Sequence, residues 1–180
     1  TWATAGSTSA SDLTSGTLAD ARFPATLPAI SGANLTNLPA GGATGIDGLT
    51  DGYSAGNSVG LGTNALANDD GTSNDNTAVG NNALYGNTSG SSNTAVGRLS
   101  MFDTTTGSTN TAVGASTLQM NAGGSNNTAV GYEALYLNVS GGLNTAVGRK
   151  ALKNNTANNN TGVGTNSLTS NTSGTYNAAL

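Results

Sequence analysis

Apolar positions beyond residue 56 return in fixed columns rather than in a helical stripe. One column, Leu61, Val79, Val96, Val113, Val130, Val147 and Val163, recurs at steps of 18, 17, 17, 17, 17 and 16 residues, most often inside the phrase Asn-Thr-Ala-Val-Gly. An eighth return begins at Tyr176-Asn177-Ala178-Ala179-Leu180. A period of this length predicts coils of one solenoid, each covering the apolar face of its neighbours. A second apolar column lies five residues later, at Leu66, Leu84, Met101, Leu118, Leu135, Leu152 and Leu168, behind the small residues Ala65, Ala83, Ser100, Thr117, Ala134, Ala151 and Ser167. The two columns predict two short facing strands per turn, a flattened all-β roll.

Polar and glycine columns sharpen the picture. Gly62, Gly80, Gly97, Gly114, Gly131, Gly148 and Gly164 follow the Val column without exception. Such uniformity points to a backbone demand, either a positive φ or a close approach of neighbouring chain, and either one ends the strand. Gly90, Gly107, Gly124, Gly141 and Gly174 lie eleven residues after Val inside Asn/Ser/Thr/Gly clusters that read as the returning loop. Strand alternation puts Thr128 and Val130 on one face and Asn127 and Ala129 on the other. Val59 occupies the Thr column in the first unit, which predicts an inward or interface-facing Thr/Val face. Asn76, Asn93, Asn110, Asn127, Asn144 and Asn160 form a column able to ladder amide hydrogen bonds from coil to coil.

Composition narrows the function classes. The 180 residues contain no Cys and no His, and 8% are charged, so most side chains used in acid-base, metal or nucleophilic chemistry are missing. The chain is expected to be no enzyme, to need no cofactor and to hold no metal. A net charge of −4 with five basic residues, Arg22, Arg98, Arg149, Lys150 and Lys153, argues against nucleic acid and anionic lipid as partners. No apolar run is long enough to insert in a bilayer, and Thr1-Trp2-Ala3 does not open a secretion signal, so the sequence reads as a fragment of something longer. Richness in Gly, Asn, Thr and Ser suggests disorder, but a strict register over more than a hundred residues argues for order. A lone thin roll of Ala, Val and Leu buries little against the entropy of ordering each coil, so side-by-side association of several rolls is expected.

Residues 1–56 differ. Pro24, Pro28 and Pro39 all lie there, and the 17-residue rhythm does not. Ser11 is able to cap a short helix, but the prolines favour extended backbone before them, so residues 1–56 read as an extended shaft or connector and 57–180 as the roll of about seven coils.

The segment Ala10-Ser11-Asp12-Leu13-Thr14-Ser15-Gly16-Thr17-Leu18-Ala19-Asp20-Ala21-Arg22, followed by Ile30-Ser31-Gly32-Ala33-Asn34-Leu35-Thr36-Asn37-Leu38-Pro39-Ala40, resembles the shaft modules of bacteriophage tail fibres and related bacterial fibre proteins. The repeats resemble the left-handed parallel β-roll heads of trimeric autotransporter adhesins, whose signature Asn57-Ser58-Val59-Gly60-Leu61-Gly62 nearly reproduces. That resemblance implies a homotrimeric, elongated fibre at a cell surface or on a virion, extracellular, often carrying a C-terminal intramolecular chaperone. The adhesin-head repeat is shorter, so these coils must hold longer loops.

Candidate sites are few. Tyr85, Phe102 and Tyr136, six residues after Val, with Tyr132 nearby, form an aromatic stripe. Its weightier reading is cover for the Leu column or for an inter-chain groove; the other is a receptor-binding platform that stacks on sugar rings of a target-cell glycan. Asp69, Asp70 and Asp75 read as a solvated acidic loop rather than a calcium loop, whose spacing they lack. Asp47, Asp51 and the lone Glu133 give little support for a glycosidase dyad. The sequons at Asn87 and Asn138 arise by chance in a chain so rich in Asn and Thr. The leading expectation is a trimeric fibre segment in adhesion or host recognition, with avidity from three copies. The alternative is an ice-binding solenoid, from the ladder Thr77, Thr94, Thr111, Thr128, Thr145 and Thr161; its partnership with Val, and the want of a second Thr column, weigh against it. A carbohydrate-cleaving tail spike comes third.

Overall fold

The computed structural model describes residues 52–55, 57–72 and 74–180. The shaft reading of residues 1–56 and the acidic pair Asp47/Asp51 fall almost wholly outside them. Only the end of that segment is described: Gly52–Ala55 forms β1, which pairs antiparallel with β2, Ser58–Leu61. Seven further strands follow one per coil: β3 Thr77–Val79, β4 Thr94–Val96, β5 Thr111–Val113, β6 Thr128–Val130, β7 Thr145–Val147, β8 Thr161–Val163 and β9 Ala178–Ala179. From β2 onward each strand pairs in parallel with the next, and Thr faces Thr and Val faces Val along the sheet. No helix occurs among the described residues. The repeat domain is therefore an all-β solenoid of about 17-residue coils, and the antiparallel β1 covers the edge that its first strand would otherwise leave open.

The expected second strand is replaced by a turn. Leu66, Leu84, Met101, Leu118, Leu135, Leu152 and Leu168 all have φ of 49–56°, left-handed backbone that no strand adopts. From Leu66 through Leu152 their amides still bond between coils, as Leu84 N–H to Ser100 O at 3.0 Å and Leu118 N–H to Ala134 O at 3.0 Å. Stacking therefore fixes a backbone shape that one isolated coil would resist.

The interior is also thinner than the sequence implies. The core consists of the Leu column and its preceding Ala residues, packed against Ala78, Ala95, Ala112, Ala129 and Ala146 from the strands, each 0% exposed. Thr and Val point out of the coil, which corrects the inward half of the expectation for that face. The reason is space. At Gly162, which replaces Ala in this column, a Cβ would already stand 3.1 Å from Leu152 Cγ, so a methyl fills the gap and a Val side chain has no room.

From Gly62 through Gly148 the Gly after Val meets both demands at once. Across the seven coils its φ is 115–135°. A Cβ on Gly114 would also lie 2.8 Å from the carbonyl group of Gly131 in the next coil.

Candidate functional site

Buried asparagines close every coil and so hold the outer surface in register. Asn127 N–H donates to Asn110 Oδ1 at 3.0 Å, and the step repeats from Asn76 through Asn177. The side-chain amide then crosses to the returning loop: Asn110 Nδ2 reaches Gly124 O at 2.9 Å and Asn127 Nδ2 reaches Gly141 O at 2.9 Å. The column reading is borne out, headed by the Ser58 hydroxyl, which accepts from Asn76 N–H. A second column, Asn87, Asn121, Asn138, Asn155 and Asn171, was not singled out from the sequence. Its amides reach the same loop carbonyls, as Asn121 to Gly124 O at 2.9 Å and Asn138 to Gly141 O at 2.7 Å. Thr104 interrupts it, leaving its own hydroxyl and Asn87 Oδ1 without partners.

Two surfaces stand out on this scaffold. The first is the outer face of the sheet. Leu61, Val79, Val96, Val113, Val130 and Val147 are each 36–38% exposed and stacked in one file, with the Thr column beside them.

The second surface is the turn side, where the proposed aromatic stripe divides. Tyr85 and Phe102 stack on each other, with centroids 5.1 Å apart and planes within 9°. Gln119 separates them from Tyr136, over whose ring Lys153 Nζ sits at 5.5 Å. All three aromatics are half-buried, consistent with cover for the turn. Tyr132 belongs to another column and is exposed. Around it gather charges that the sequence scattered: Glu133 carboxylate meets Lys153 Nζ at 2.6 Å and Lys150 Nζ at 3.9 Å. The Lys153 and Tyr132 contacts hold the Glu133 carboxyl below its ordinary range, while the hydrogen bond to Glu133 raises the Tyr132 hydroxyl. The missed signal was the period itself, since Arg149, Lys150 and Lys153 lie 17 residues after Tyr132, Glu133 and Tyr136.

In the acidic loop, Asp69 and Asp70 turn Oδ1 onto donors of the loop itself. Gly71 N–H meets Asp69 at 3.0 Å, and Thr72 Oγ1 meets Asp70 at 2.7 Å and lowers its carboxyl from the usual range.

The fold and surface define a parallel β-solenoid with one exposed sheet face. The chain matches no family model, no curated protein and no solved structure; its own geometry carries the reading.

Proposed function

We propose that this chain is a segment of a homotrimeric extracellular fibre, on a cell surface or a virion, that takes part in adhesion or target recognition. The observation that carries the reading is the file of exposed Leu and Val along the sheet. A contiguous apolar stripe on a surface otherwise rich in Asn, Ser and Thr favours burial against another protein surface. Val recurs at every coil after Leu61 through Val163, so copies of the same chain offer one another matching stripes, and three can meet about an axis along the stack. Three copies side by side also multiply weak contacts with a target glycan.

The chain has no cysteine, so a single introduced thiol reports neighbours cleanly. Val113→Cys is expected to give interchain disulfide on oxidation, whereas Val139→Cys, exposed on the returning loop, is not. Absence of the Val113→Cys cross-link would sink the reading.

Ice binding remains the second reading, favoured by the outward, in-register Thr column. Thermal hysteresis from a folded monomer would move it to first place.

A further inference from the structure

Charge is sparse in this chain, yet four of its five Lys and Arg residues, Arg98, Arg149, Lys150 and Lys153, belong to the repeat domain. Two of them share a column with Tyr132. The backbone links Arg98 O to Ser116 N–H, Ala115 O to Glu133 N–H at 3.1 Å, and Tyr132 O to Lys150 N–H at 2.8 Å, so Arg98, Ala115, Tyr132 and Arg149 follow one another on consecutive coils. Arg98, Tyr132 and Arg149 are exposed, and small Ala115 leaves a dip between the first two. At about 4.8 Å per coil the file is roughly 14 Å long.

Among the described residues the ion pairs join Lys150 and Lys153 to Glu133, and the guanidinium groups of Arg98 and Arg149 have no carboxylate partner. We infer that this ridge binds an acidic oligosaccharide lying along the solenoid axis, with uronate carboxylates on Arg98 and Arg149 and a sugar ring stacked on Tyr132. The ligand class follows from the two kinds of side chain in the file. Guanidinium pairs with a carboxylate through two parallel hydrogen bonds, and an aromatic face accepts the apolar side of a pyranose. Glu133, one residue from the file, is held by Lys153 and Lys150, which offset its charge beside the ridge.

The inference names the ligand class for the adhesive reading and rests on it for biological sense, though not for its chemistry. The test titrates oligogalacturonate into the full chain, in whatever oligomer it forms, at low and high salt. Neutral dextran and a DNA duplex serve as controls. Binding to oligogalacturonate alone is expected, weakened by salt and reduced at least tenfold in both Tyr132→Ala and Arg149→Gln, with far-UV spectra and melting unchanged. No binding, equal binding to DNA, or binding that survives either substitution would overturn it. A monomer that binds leaves the ridge standing and removes the trimer; a trimer that does not bind removes the ridge alone.

Discussion

Asn127 is 1% exposed, and its side chain makes four contacts: it donates to Asn110 Oδ1 and Gly141 O and accepts from the backbone and side-chain amides of Asn144. Asn127→Ala strands buried partners on both neighbouring coils, and each unsatisfied group costs about 1–3 kcal/mol. A loss of about 3 kcal/mol is expected in denaturant unfolding. The reverse change is available at Thr104. Asn at that position gains Asn87 Oδ1 and Gly107 O as acceptors, as Asn138 does with Asn121 Oδ1 and Gly141 O. Thr104→Asn is expected to stabilise by about 1 kcal/mol, raising Tm by about 2–4 °C in a chain this long. Glu133 supplies a pH dependence. Its folded carboxyl lies below its unfolded value, chiefly through Lys153, so its stabilisation is fully present above the unfolded value of about 4.3 and is lost as pH falls through the folded one. The stability gap between the native chain and Glu133→Gln is therefore expected at pH 6 and to close toward pH 3, measured by urea midpoints. The Asn column was legible because one residue type at one spacing has few other uses. The partnership of Glu133 with Lys150 and Lys153 was missed because a charge pairs across coils, and adjacency along the chain hides it.

From β3 through β8 each coil is one three-residue strand followed by turns, and the Gly after Val governs how closely coils approach. Gly114→Ala puts a methyl against the next coil's backbone at a φ of 134°, and is expected to cost at least about 3 kcal/mol by strain and clash together. Gly123→Ala is the matching control, since its added Cβ meets only Thr106 Oγ1 at 3.6 Å. Comparison of the two melts separates loss of glycine in general from loss of this contact. This element was readable because positive φ is demanded of the Gly in all seven coils and close approach in every one from Gly62 through Gly148. The turn at the Leu column was not, since Leu rarely adopts positive φ and it is stacking, through bonds to adjacent coils and burial of the side chain, that favours it there. Alternation correctly grouped Thr with Val and Asn with Ala. Which group faces inward was decided by the distance from strand to Leu column, a dimension that hydrophobicity does not carry.

At the scale of the molecule, two regular features of the coil set the surface: from β3 through β7 the core takes only Ala from each strand, and Val79, Val96, Val113, Val130 and Val147 are left outside. Strands that turn Val outward in coil after coil leave an apolar file which, on the proposed reading, is buried between copies of the chain. Val113→Asp with Val130→Asp is expected to separate the copies, because charges on adjacent coils would be buried unpaired at the interface. Light scattering coupled to size-exclusion chromatography on the unmodified chain tests the self-association most directly. A mass of three times 17.4 kDa is expected. A folded species at 17.4 kDa, with the Val file open to water, would contradict the trimeric fibre.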